Sequence, residues 1–207
     1  MAKSHASAGR LAALVGRVRN DIKFGGFEPG AWLKLIDLQR RYAATQFEIR
    51  QVLAELRGQR LVEHRANHGF RVAVQDMVER DRLYFVRAVL ERSAGPLVVA
   101  NAGAADVAAL ERLADAFDRT VGSDGRHRQA AANGAFHDRF FAIAGNPVLV
   151  ETIQGLRERS HFGTTGRWRT EEGLKASGAE HHAMVDAIRR RDVESLDRIV
   201  AGHIAAF

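Results

Sequence analysis

The 207-residue sequence predicts a mainly α-helical protein: a small winged helix-turn-helix followed by an all-α bundle of about six helices. Three observations predict it. Apolar residues recur at helical spacing along most of the chain, and strand-like alternation is confined to a short stretch near residues 60–74. The hydrophobic share is 46% and only 3 residues are proline, the composition of a helix-rich chain. The charge is uneven: residues 1–75 carry 13 Lys/Arg against 6 Asp/Glu, and residues 76–207 carry 18 against 19. A basic N-terminal third joined to a neutral remainder points to a nucleic-acid-binding module attached to a domain with a different task.

Composition excludes several classes. Without cysteine there is no disulfide framework and no thiolate metal site, which fits a reducing cytoplasm. The first apolar cluster, Leu11 to Val15, is too short for a signal-peptide core and is followed at once by Arg17 and Arg19. No stretch approaches the roughly 18 apolar residues of a membrane span. The expectation is a soluble cytoplasmic protein with no membrane partner.

The first module spans residues 1–75. Leu11, Leu14, Val15, Val18 and Ile22 set a helix over 9–23, stopped by "FGGFEPG" at 24–30. A second helix runs through Leu35, Leu38 and Tyr42. A third starts at Thr45, because Glu48 three residues on completes a capping box. Its apolar face is Ile49, Val52, Leu53 and Leu56; the opposite face carries Gln46, Arg50 and Arg57, with Phe47 near the first turn. "RLVEH" and "GFRVAV" then flank "RANHG" as a hairpin with a polar tip. Three helices and a hairpin make a winged helix-turn-helix. Gln46 and Arg50, one turn apart, suit adenine and guanine edges, and Asn67, His68 and Gly69 at the tip suit the backbone or minor groove. A winged helix used for protein contacts is the alternative.

These segments resemble the DNA-binding domain of GntR-type transcriptional regulators. The resemblance lies in "IKFGGFEPGAWL", "YAATQFEIRQVLAELRGQRLV" and "NHGFRV", with Pro29, Gly30, Thr45, Arg50, Leu53, Leu56, Leu61, Val62, Asn67 and Gly69 matching. Gln46 replaces the family's first arginine and Glu48 its proline. The resemblance implies the fold and a double-stranded DNA operator contacted by Thr45, Gln46, Phe47, Arg50, Arg57, Asn67, His68 and Gly69. The two replacements imply operator bases that differ from the family's usual ones.

The second module spans residues 76–207. "ERDRLYFVRAVLERSAGPLVVANA" opens it, with Leu83, Val86, Leu90 and Leu97 as its core stripe. Breaks near 103–105, 122–125, 145–147 and 163–178 divide the remainder. Helical phase sorts its histidines. His137 shares an apolar face with Asn133, Phe140 and Phe141. His181 aligns with Met184, Val185 and Ile188, and His203 with Leu196, Ile199, Val200 and Phe207. His182 falls with Asp186 and Arg189 toward solvent. Any one of these inward histidines alone reads as a satisfied core residue. Three on separate helices favour a shared site, a metal centre being the economical form, since burying unpaired imidazole is costly. Imidazole suits Zn, Ni, Cu or Fe, and Asn133, one turn before His137, can add an oxygen.

This half resembles the FCD ligand-binding domain attached to many GntR regulators, VanR-like members among them. The motifs are "RAVLE" (87–91), "NGAFHDRFFAIAGNPVL" (133–149), "EHHAMVDAIRRRD" (180–192) and "AGH" (201–203). The resemblance implies a divalent transition metal, Zn or Ni foremost, held by Asn133, His137, His181 and His203. It also implies a small carboxylate effector assisted by Arg87 and Arg157. Asn133 stands where the family more often has Asp, so the ion is held more weakly or the site works without one.

The expectation is therefore a homodimeric repressor of transcription, not an enzyme, whose operator affinity follows an organic-acid effector. The rival is a metal-dependent hydrolase-like enzyme with an accessory DNA-binding domain. Against that rival, no inward Glu or Asp is expected near the histidines, with Glu180 off the apolar face.

Overall fold

In a computed structural model, residues 2–23, 25–74, 76–122, 125–160, 168 and 170–206 are described. Phe24 in the first turn, Gln75 at the module boundary, positions 123–124 and 163–167 in two breaks, and Phe207 on the last apolar face lie outside the described residues. The chain divides into two compact units, Met1–Gln75 and Asp76–Phe207.

The N-terminal unit contains α1 (Ala2–Lys23), α2 (Leu35–Tyr42), α3 (Gln46–Gly58), β1 (Val62–Arg65) and β2 (Gly69–Val72). Its core gathers the apolar faces of the helices: Val18 and Ile22 of α1, Leu38 of α2, and Ile49, Val52, Leu53 and Leu56 of α3. Ala43 ends α2 in the left-handed region at φ 50°, and the chain turns there into α3. The capping box forms as spaced: Glu48 N donates to Thr45 Oγ1 at 3.2 Å and Thr45 N donates to Glu48 Oε2 at 2.8 Å. The strands pair antiparallel with Val62 opposite Val72 and Arg65 opposite Gly69. Asn67 (φ 62°) and Gly69 (φ 90°) turn the tip, left-handed conformations that Asn and Gly tolerate best. Trp32 adds a single antiparallel bridge to Arg71 on the outside of β2.

The C-terminal unit holds six helices among the described residues: α4 (Met77–Asn101), α5 (Ala104–Asp118), α6 (Arg126–Ala142), α7 (Pro147–Arg159), α8 (Glu171–Arg189) and α9 (Val193–Ala205). α4 packs on α7 and α9, and α8 lies between α5 and α9. The core joins Val98, Leu110, Phe136, Phe140, Ile153, Met184, Ile188 and Leu196 from all six.

Three expectations change here. The stripe Leu83, Val86, Leu90, Leu97 is not the core face of α4: Val86 is 43% and Leu97 38% exposed. The buried face is Leu83, Arg87, Glu91, Ala94, Gly95, Val98 and Val99, with two charged residues in it. Charge disguised the face, because those two groups satisfy each other. The break expected over 163–178 ends sooner. α8 starts at Glu171, with Thr170 Oγ1 accepting from Gly173 N at 3.1 Å. Its glycine at 178 reads as a breaker in sequence but makes room: a Cβ there would collide with the Asp118 carboxylate. Finally, His182 is not simply solvated; its Nε2 lies 2.8 Å from Asp118 Oδ2 on α5.

Candidate functional site

In the N-terminal unit the exposed side of α3 presents Gln46, Arg50 and Arg57, while the capping box at Thr45 fixes where the helix begins. Phe47 is 70% exposed in its first turn. Asn67 and His68 are exposed at the hairpin tip with Gly69 half-buried beside them. A groove between α3 and the hairpin is lined by Trp32, Lys34, Arg50, His64, His68 and Phe70. The Trp32 and His68 rings stack across it at 5.7 Å. Sequence reasoning missed Trp32 and Lys34 because the bridge from Trp32 to Arg71 has no local pattern, and it missed His64 although it lies on the first strand of the expected hairpin. A basic helix face beside an exposed aromatic wing can follow phosphates and reach base edges.

The C-terminal unit buries three histidines: His137 at 2% exposed, His181 at 0% and His203 at 2%. They come from α6, α8 and α9. Each offers a ring nitrogen within 4.8 Å of the others, and Nε2 of His203 and Nε2 of His137 stand 3.2 Å apart. Burial, with Arg157 next in effect, holds the His137 imidazolium far below its ordinary value; burial and then His203 do the same for His181. Burial also lowers His203, although the Glu180 carboxylate pulls it partly back. All three rings are therefore neutral at pH 7, the form that ligates metals.

Asn133, one turn before His137, is buried with Oδ1 unpartnered, as are both ring nitrogens of His181 and Ser177 Oγ. Unpartnered buried polar atoms are costly, and Asn133 and Ser177 stand one turn before His137 and His181, which makes this the candidate site. Phe136 stacks on His181 at 4.2 Å and Phe117 meets its edge at 4.9 Å, fixing the ring plane. Two nitrogens sharing a tetrahedral zinc at about 2.0–2.1 Å would lie roughly 3.3 Å apart, close to the His137–His203 spacing. Three neutral imidazoles and an amide oxygen fit a borderline transition metal.

The two arginines meet at Glu91 on the buried face of α4, and Arg157 bears electrostatically on all three histidines. Arg87 is 1% exposed; its Nε donates to Glu91 Oε1 at 2.9 Å and its guanidinium to Ser160 Oγ at 2.9 Å. Arg157 reaches Glu91 Oε2 at 3.3 Å and lies over the Phe141 ring at 5.7 Å. Burial raises the Glu91 carboxyl, and Arg157 and Arg87 more than reverse this, leaving it below the usual carboxylate range. The expected absence of inward acids is corrected: Glu91 is 1% exposed, and Glu180 Oε2 is 2.7 Å from His203 Nδ1. The i,i+4 spacing of Arg87 and Glu91 was a readable signal; nothing in the sequence ties Glu180 to His203.

Comparison with known proteins agrees with this layout. Residues 82–206 match the FCD domain family. The HTH-type transcriptional repressor GlaR of Escherichia coli K12 is 28% identical across 90% of this chain and 89% of its own. The Nta operon transcriptional regulator of Aminobacter aminovorans is 24% identical across 86% of this chain and 83% of its own. Among solved structures, E. coli McbR/YncC superposes with a TM-score of 0.77 at 19% identity, covering 94% of this chain and 93% of that one, a likeness of fold. A winged helix-turn-helix ahead of a six-helix unit, in a chain with these relatives, defines a transcriptional regulator. The chain belongs to the GntR-type regulators that carry an FCD domain. That these relatives are named as regulators does not favour the metallohydrolase alternative. No described helix is long and apolar enough to cross a membrane.

Proposed function

We propose that this regulator is a repressor whose operator affinity is set by a small carboxylate bound at the histidine cluster. The observation that carries the reading is the convergence of three buried imidazoles in the C-terminal unit, with the buried, unpartnered Asn133 Oδ1 one helical turn before His137. His137, His181, His203 and Asn133 would hold a divalent transition metal, zinc or nickel. When bound, the ion supplies a positive, Lewis-acidic anchor for a carboxylate oxygen. Arg157 and Arg87, already gathered around Glu91, supply the further positive charge that attracts an organic acid. Asn133 brings no charge to the donor set, so the metal is held less tightly than a carboxylate would hold it.

On the DNA side, Arg50 reads a base, Gln46 its neighbour, Thr45, Phe47 and Arg57 line the same face, and Asn67, His68 and Gly69 meet the backbone or minor groove. The outer aspect of α4 exposes Phe85, Val86, Val89 and Leu97, a surface suited to a second copy. A homodimer would set two DNA heads on half-sites about one helical turn apart. The effector acts by population shift, preferring one arrangement of those heads and lowering operator affinity by its difference in binding. The name of the E. coli relative, a transcriptional repressor, supports the sign of regulation. A cytoplasmic location and the VanR-like subgroup belong to the same proposal.

The test is operator binding followed by fluorescence anisotropy, with metal content per chain measured in parallel. Purified protein is challenged with mono-, di- and tricarboxylates before and after chelator treatment and zinc return. A carboxylate that releases operator only in the zinc-loaded protein supports the reading. A response that survives complete metal removal would mean the histidines bind the carboxylate directly. No response to any acid in either form overturns effector control.

A further inference from the structure

His137 Nε2 and His203 Nε2 stand 3.2 Å apart at the centre of the cluster. Two imidazole nitrogens that close need a proton or a cation between them, because facing lone pairs repel. Which nitrogen of His203 carries its own proton is decided on the far side of its ring. There Nδ1 lies 2.7 Å from Glu180 Oε2, and a carboxylate only accepts. Neutral His203 therefore donates from Nδ1 and presents a bare Nε2 lone pair to His137 and His181.

We propose that Glu180 is the positioning residue of the cluster: it fixes the tautomer and orientation of His203 and supplies the negative charge that Asn133 lacks. This rests on reading the cluster as a metal and carboxylate site. Helical phase makes it possible. Glu180 and His181 are adjacent on α8 and about 100° apart, so one turn of helix gives a ring to the centre and a carboxylate to the neighbouring α9. The exposure gradient fits the task. The Glu180 side chain is 25% exposed and that of His203 is 3% exposed, so the charge keeps water on one side while its hydrogen bond reaches the interior. The donor set itself is neutral, three imidazoles and an amide, whereas carboxylate-paired histidines are stronger, better oriented ligands. A charge relayed through His203 raises ligand basicity without occupying a coordination position, leaving that position to an incoming carboxylate.

The experiment uses the full chain, stripped with chelator and labelled with 15N, in parent, Glu180→Ala and Glu180→Gln forms. Long-range 1H–15N spectra of the histidine rings report the tautomer, with His203 assigned by its loss in His203→Asn. Zinc affinity is measured by competition with a chromogenic chelator, and thermal unfolding reports the fold. The parent should show His203 protonated at Nδ1. Glu180→Ala should shift it toward the Nε2 form and weaken zinc by roughly 10–100-fold. Glu180→Gln should keep the Nδ1 form, because its amide oxygen still accepts, and give an intermediate zinc affinity because the charge is gone. An unchanged tautomer and unchanged zinc affinity in Glu180→Ala, even with lower thermal stability, would overturn the proposal and leave a merely structural contact. Should Glu180→Ala fail to fold, parent-like zinc affinity in Glu180→Gln would overturn the charge role. A parent that takes up no zinc overturns the metal reading instead, and the tautomer comparison then decides Glu180 alone.

Discussion

His181 and His182 are neighbours with different surroundings. His181 is fully buried, with Phe136 stacked on its face and Phe117 at its edge. His182 sits at the surface of α8 against Asp118, 2.8 Å away. His181→Ala should therefore strip most of the metal, since a site with so few ligands cannot spare one. It should also abolish the effector response while operator binding without effector persists. His182→Ala should leave metal content unchanged and cost at most about 1 kcal/mol for a partly exposed contact. Metal per chain and effector-dependent operator release, measured on both variants together, check this; equal losses would reverse the two roles. On α3 the corresponding residue is Arg50, exposed beside the wing groove. Arg50→Ala should cost roughly 1–3 kcal/mol of operator affinity and relax preference at one base pair per half-site. Arg57→Ala, farther from the helix start, should weaken binding evenly across sequences. Competition between operator variants distinguishes the two.

At the scale of the element, α3 and α8 depend on their first turns. The Thr45–Glu48 box satisfies two N-terminal amides of α3, and Arg10 lies 3.1 Å from the same Glu48 carboxylate. Thr45→Ala should destabilise the N-terminal unit by about 1 kcal/mol, because an unsatisfied helix start costs that much. Operator affinity should fall as well, since Gln46 and Arg50 are aimed from that turn. Chemical unfolding and anisotropy give the two numbers, and a loss of affinity without loss of stability would show that Thr45 touches DNA itself. Phe47 and Glu48 stand where the helix start meets solvent, so the cap rather than proline sets the turn in this chain. α8 behaves differently: Thr170 caps it, and Gly178 lets Asp118 of α5 come close enough to meet His182.

For the molecule as a whole, the buried imidazoles make stability depend on pH. Folding depresses His137 and His181 well below the ordinary histidine value, and His203 less so. Above about pH 6.5 these rings are neutral in both folded and unfolded chains and contribute no pH dependence. As pH falls below that value the unfolded chain takes up protons that the folded unit refuses, so stability is lost until the depressed folded values are reached. Metal-free protein should lose up to about 1.4 kcal/mol per histidine for each pH unit below 6.5. Unfolding of a Trp32→Phe variant, followed by the buried Trp168, reads the C-terminal unit. A stability that stays flat or rises from pH 7.5 to 5.5 would mean that the rings charge in place. Assembly is the other whole-molecule expectation: light scattering should find a dimer at micromolar concentration, and a persistent monomer with full operator affinity would remove the symmetric half-site picture.

Local spacing, with the turn residues and the capping box, made the helices, the hairpin and the inward phase of His137, His181 and His203 legible, because spacing dictates which side chains share a face. The same rule failed on α4. It counts apolar residues, and the buried face there includes Arg87 and Glu91, an i,i+4 pair that such a count passes over. It failed again at Gly178 and the start of α8, where a glycine that looks like a breaker is a clearance for Asp118. Only the tertiary structure brought Glu180 to His203, two residues 23 positions apart on different helices. Helical phase fixes the direction in which a side chain leaves its own axis; which partner waits in that direction depends on how the helices cross, and that is settled by packing.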